Sequence, residues 1–169
     1  MSDQSSAPPA NGAAPMAPGP LTLNLQFTKD LSFEVPGAPQ VFLNLREAPK
    51  VDIALDVQAR RLQEGQENYE VSLQIRCEAK LPGDTTAFIA ELVYCGIFTL
   101  NGVGPEMMEP ILLVECPRLL FPFARNILAD VTRDGGFPPV MLAPIDFVAL
   151  WQSRRAQQEA AAAPAQGTA

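Results

Sequence analysis

No histidine occurs anywhere in the 169 residues. That removes Ser-His-Asp and Cys-His triads, histidine-ligated zinc and histidine acid-base catalysis. Cysteine is scarce. Cys77, Cys95 and Cys116 are odd in number and form no C-x-x-C pair, so reduced thiols in a cytoplasmic protein are expected, with no metal and no cofactor. Positive charge is also short, with 12 Lys and Arg against 19 Asp and Glu and a net charge of −7. A nucleic-acid binder carries a basic face, so no nucleic acid is expected as a partner. No apolar run approaches the ~20 residues of a membrane span, so no stable membrane insertion is expected. A phosphate loop of the form G-x-x-x-x-G-K-[ST] is absent. Asn101-Gly102-Val103-Gly104 lacks its lysine and reads as a turn.

Proline, in contrast, is abundant, with 17 residues at about twice the usual share. Five of them fall in residues 1–20, which contain almost no large apolar side chain. Such a segment buries too little surface to offset its ordering entropy, so 1–20 is expected to be a disordered Pro/Ala-rich tail. It lacks the basic start and apolar run of a secretory signal. Residues 156–169 are expected to be a flexible Ala-rich tail, with Pro164 and Gly167 opposing a helix there. The folded domain is then 21–155.

The first half of that domain has period two. Leu21, Leu23, Leu25 and Phe27 alternate with polar residues, and after Lys29-Asp30 the pattern resumes at Leu31, Phe33 and Val35. Val51, Ile53, Leu55 and Val57 form a second such stretch, Tyr69 to Ala79 a third, and residues 85–100 a fourth. Successive side chains of a half-buried strand point to opposite faces, which produces this alternation. Glu64–Asn68 and Pro82-Gly83-Asp84 read as hairpin turns. The expected product is a four-stranded antiparallel sheet with one apolar face and one acidic, wetted face.

The second half has helical spacing. Pro117 suits a first turn, and Leu120, Phe123, Ile127, Leu128 and Val131 recur at three and four until Gly135-Gly136. Asp146 is placed to cap a shorter last helix carrying Phe147, Leu150 and Trp151. Residues 105–111 fit either a short helix or an irregular bridge. Strands followed by helices indicate an α+β layer with the helices on the apolar sheet face.

Two features of the polar face bear on function. Asp52 and Asp56 share a strand face, and paired carboxylates perform acid-base chemistry when a pocket encloses them. Nothing in the pattern encloses these, which favours a solvated face. Asp30 and Glu34 on the first strand and Ile89 and Glu91 on the fourth would set three acids around one aliphatic side chain if those strands are neighbours. That combination suits docking of a basic partner, and it equally suits ordinary solubilising charge.

Four ordered blocks carry a resemblance. They are Phe27-Thr28-Lys29-Asp30-Leu31-Ser32-Phe33-Glu34-Val35-Pro36-Gly37-Ala38-Pro39, then Gly96-Ile97-Phe98, then Cys116-Pro117-Arg118-Leu119-Leu120-Phe121-Pro122-Phe123-Ala124-Arg125, and last Gly136-Phe137-Pro138-Pro139 with Leu142-Ala143-Pro144-Ile145-Asp146-Phe147. In this order and spacing, over about 21–151, the chain resembles the SecB family of protein-export chaperones.

The resemblance implies a SecB-like fold, with a long helix and a shorter C-terminal one packed on one face of the sheet. It implies a homotetramer built as a dimer of dimers, with the Leu120–Val131 stripe at a subunit interface. It also implies a cytoplasmic, non-enzymatic, ATP-independent chaperone that holds unfolded precursor proteins and delivers them to the translocation ATPase SecA. By position, Asp30, Glu34, Ile89 and Glu91 match the SecA-docking patch. Val51, Ile53, Leu55, Phe123 and Trp151 match the client groove. Residues 42–50 depart from the family pattern. The rival readings are a SecB-like chaperone dedicated to another client, such as a toxin–antitoxin pair, and a small ligand-binding domain.

Overall fold

A computed structural model describes residues 19–162. The expected tails fall mostly outside this range, at 1–18 and 163–169. The sheet is made of β1 (Leu21–Glu34), β2 (Lys50–Arg61), β3 (Asn68–Leu81) and β4 (Thr85–Leu100), all antiparallel, in the spatial order β1-β4-β3-β2. The short helix α1 (Gln40–Leu43) interrupts the β1–β2 crossover. Gly83 and Asp84 adopt left-handed backbone in the β3–β4 turn, where the chain must reverse within a few residues.

Helical structure begins earlier than the spacing predicts. The region read as either a helix or a bridge is helix α2 (Pro105–Pro110), with extended Gly104 preceding Pro105. A π-helical turn, Ile111–Glu115, joins it without a break to α3 (Cys116–Asp134). Pro117 therefore starts no new rod. The wide turn lies between Pro110 and Pro117, whose missing N–H groups interrupt the i→i−4 ladder. Past α3, Gly136 takes a left-handed conformation and its N–H donates to the Arg133 carbonyl at 3.0 Å, which closes the helix.

Helix α4 (Phe147–Ala162) has the expected cap, the Asp146 carboxylate accepting from the Ala149 N–H at 3.0 Å. The helix runs past the expected domain boundary at 155 and continues through Ala162. Alanines 160–162 have high helix propensity, and the opposing Pro164 comes two residues later.

One face of the sheet carries the core. Val71, Leu73, Ile75 and Cys77 of β3, and Phe88, Ala90, Leu92 and Phe98 of β4, lie under Leu120, Ala124 and Leu128 of α3. The α3 stripe is therefore split. Leu120 and Leu128 are buried within one chain, while Phe123 on the flank is exposed and Ile127 and Val131 are half-buried. The expectation that the whole Leu120–Val131 stripe serves a subunit interface is corrected accordingly. An apolar stripe wide enough to seat a helix on a sheet fills its centre from the same chain and leaves a flank over.

Helix and sheet meet closely at Gly96. A Cβ there would lie 2.6 Å from a Phe98 ring carbon and 2.9 Å from Leu120 Cδ2. Both neighbours are fully buried, so neither side chain has room to give. Gly96→Ala is expected to cost about 1–3 kcal/mol through overpacking, read as a lowered urea or thermal midpoint. An unchanged midpoint would show that α3 is not held this close.

Candidate functional site

The face of the sheet away from α3 brings the four patch residues together. Glu34 of β1 lies opposite Ile89 of β4, and Ser32 lies opposite Glu91. Residues directly opposite in an antiparallel pair share a face, and so do residues two apart along a strand. Asp30, Glu34, Ile89 and Glu91 therefore share one face, with Asp30 and Glu34 exposed and Ile89 and Glu91 half-buried. Sequence periodicity left the pairing of β1 with β4 as a condition, and the sheet order meets it.

The same face holds cations that the sequence reading did not place. Arg76 of β3 lies opposite Glu91 and forms an ion pair with it, while its other terminal nitrogen is 3.4 Å from Glu78. Farther along, the buried Glu70 carboxylate accepts from Arg60 at 2.9 and 3.2 Å and from Lys29 at 2.8 Å. The Arg60 bonds, then the Lys29 bond, hold Glu70 down to about 2 against burial, which opposes ionisation.

Lys29 reaches this site because β1 is bulged. Register shifts between Leu23 and Leu25 and between Thr28 and Asp30 each reverse the facing of the strand. Leu21, Leu23, Leu31 and Phe33 thus lie on the core face. Leu25 (55% exposed) and Phe27 pair with Ile97 and Cys95 on the outer face. The odd-numbered apolar series, interrupted only at Lys29, concealed both reversals.

The expected groove residues fall into two groups. Val51, Ile53 and Leu55 lie along the core side of β2, the edge strand, where Ile53 is 47% exposed. At the end of this row, Val57 meets α4 in a cavity of about 110 Å³ lined by Leu113, Leu150 and Trp151. The Trp151 indole N–H donates to Glu109 at 3.1 Å. Arg154 pairs with Asp56 and donates to the Val57 carbonyl at 3.0 Å, which ties α4 to the edge of β2.

Phe123 belongs elsewhere within one chain. Its ring stacks on Tyr94 with centroids 6.4 Å apart. Phe121 meets Phe147 at 5.9 Å, and at 100° per residue positions 121 and 123 point to opposite flanks of α3. A larger cavity of about 520 Å³ lies apart from both groups, lined by Val41, Asn44, Arg46, Leu81 and Pro82, beside the departing segment 42–50.

The carboxylate pair Asp52 and Asp56 is separated in role. Asp56 is taken by Arg154, and Asp52 lies 3.7 Å from Lys50 on an open strand face. All three thiols are buried, which raises Cys77 to about 11 and Cys116 to about 12 and keeps them protonated. Among the described residues, no helix is long and apolar enough to cross a membrane.

Comparison with known families gives a match over residues 15–158 to the model described as preprotein translocase subunit SecB. The chain belongs to the SecB family. It is 62% identical over 152 residues to the protein-export protein SecB of Acidiphilium cryptum, a match spanning 83% of this chain and 92% of the relative. It is 61% identical over 164 residues to the protein of that name from Granulibacter bethesdensis, spanning 94% and 96%. Among solved structures, the fold is similar to a SecB-like chaperone of Mycobacterium tuberculosis solved with an antitoxin peptide. There the TM-score is 0.60 and the identity 12%, covering 75% of this chain and 91% of that one. At that identity the likeness concerns the SecB fold alone.

The Glu70 cluster of this SecB-family chain has a pH signature. Its folded-state value lies below the ordinary 4.5, so its stabilisation is complete above that pH and is lost as pH falls toward 2. Glu70→Gln is expected to cost about 1–2 kcal/mol at neutral pH, because both partner cations are part-exposed. The variant's stability should also fall less between pH 5 and 2 than the parent's. Parallel urea titrations check this, and identical acid slopes would refute it.

Proposed function

We propose that this chain is an export chaperone that holds precursor proteins unfolded and hands them to SecA, with no ATP hydrolysis of its own. The observation that carries the reading is the family match over most of the chain combined with a division of surfaces. Apolar side chains remain uncovered on the core-side edge of the sheet and on the flank of α3, at Ile53, Leu119 and Phe123. On the opposite sheet face Glu34 lies opposite Ile89, Glu91 two residues along the same strand, and Asp30 farther along opposite Val93.

Unfolded segments bind through apolar contact with the row Val51, Ile53 and Leu55, with Trp151 and Phe123 as aromatic neighbours. Such contact has little sequence selectivity, which suits a holder of many clients. Assembly as a homotetramer, a dimer of dimers, brings several weak grooves onto one long client, so that avidity supplies the affinity. It also covers the flank of α3 that one chain leaves exposed. Asp30, Glu34, Ile89 and Glu91 dock SecA, the charges steering the encounter and the aliphatic centre supplying contact energy. The setting is the cytoplasm, where precursors meet SecA before crossing the membrane.

Mixed with an unfolded precursor in the absence of ATP, the protein should delay refolding and give the native mass of a tetramer carrying client. No delay at excess chaperone would remove the holding function. Glu91→Lys should weaken SecA binding about tenfold, by deleting one attraction and adding one repulsion, and leave the refolding delay unchanged. Loss of both activities together would argue against two separate surfaces.

A further inference from the structure

The acidic patch is not unoccupied in the chain itself. Arg76 lies in the register position opposite Glu91, on the same face as Asp30, Glu34 and Ile89. One terminal nitrogen pairs with Glu91, and the other lies 3.4 Å from Glu78, which is opposite Ile89. The guanidinium thus bridges a patch carboxylate and a second carboxylate just outside the patch. Its fork geometry lets one side chain serve two acceptors. Arg76 is 44% and Glu91 47% exposed at the side chain, so the pair is screened by water and exchanges readily.

We propose that Arg76 is a specificity-determining residue of the docking face, an internal cation that a partner's basic group must displace from Glu91 and that then rests on Glu78. The inference builds on the docking reading above and adds its selectivity. A partner offering a single lysine gains little, because one ion pair is exchanged for another of similar strength. A basic segment that also meets Asp30 and Glu34 makes two further pairs, since neither carboxylate is in an ion pair among the described residues. The patch is therefore quiet toward isolated positive charges, such as those scattered along unfolded clients, and responsive to a dense basic partner.

The test compares two charge deletions on the same face. Arg76→Gln frees Glu91. Lys80→Gln removes one positive charge that lies 3.0 Å from Asp84 and 3.9 Å from Glu78 and makes no contact with Glu91. With purified SecA at low salt, Arg76→Gln should tighten binding about twofold to fivefold, the size of one exposed ion pair. Lys80→Gln, which relieves Glu78 at 3.9 Å without freeing Glu91, should change it by less than about 1.5-fold. Glu78→Gln should weaken binding more when Arg76 is present than in the Arg76→Gln background, because it removes the residue's second seat.

Equal effects of the two deletions, or weaker binding with Arg76→Gln, would overturn the proposal. So would an effect of Glu78→Gln that is independent of Arg76. If Glu91→Lys abolishes SecA binding while Arg76→Gln and Lys80→Gln behave alike, the Arg76 inference alone fails. If Glu91→Lys leaves SecA binding intact, the docking reading fails with it.

Discussion

The close seating of α3 on the middle of the sheet is the constraint from which the other features follow. Leu120, Ala124 and Leu128 press onto the core face of β3 and β4, and Gly96 lets the helix approach because any Cβ there would meet Phe98 and Leu120. With that face committed to the core, much of the sheet's charge gathers on the other face, where Glu70, Arg76, Glu78 and Glu91 lie. A sheet has two faces and period-two strands, so covering one with a helix draws most apolar and most ionic side chains of the sheet to different faces. That separation allows client binding and partner docking to be assigned to different surfaces.

The ionic face shows two kinds of charge. Glu70 is buried and held by two cations, which fixes the bulged part of β1 across β4 to β3. Arg76 and Glu91 are half-exposed and held by little more than each other and Glu78. The first arrangement suits a structural clamp, because removing one partner leaves a desolvated charge. The second suits exchange with an outside partner, because water screens both states alike. Their different burial, rather than their residue types, separates the two roles.

Much of this was legible in the residues. Alternation at Val51–Val57, Tyr69–Ala79 and 85–100 located three strands, and Asp146 and Gly136 marked helix ends where side-chain and left-handed caps form. Three things were hidden. The two bulges in β1 reverse its facing twice, so Leu21 to Val35 reads as one odd-numbered series although Leu25 and Phe27 face outward. The π-helical turn between Pro110 and Pro117 merges a doubtful segment into one long rod, which proline rules applied residue by residue split in two. The chain also continues as helix past 155 because an alanine run outlasts the charged, amphipathic part of α4.

What the sequence determined by itself was the set of faces: which residues in each strand travel together, and where apolar stripes and caps require helices. These are local properties, set by backbone geometry over a few residues. Which strands are neighbours, and in what register, was decided by the tertiary structure alone. Pairing β1 with β4 set Asp30 and Glu34 beside Ile89 and Glu91, and pairing β3 with β4 set Arg76 on Glu91. Period two specifies a side for each residue and no partner. The partner comes from the way crossover and hairpins fold around one shared core, and through it the acids of two distant segments came onto one sheet face beside an arginine of a third.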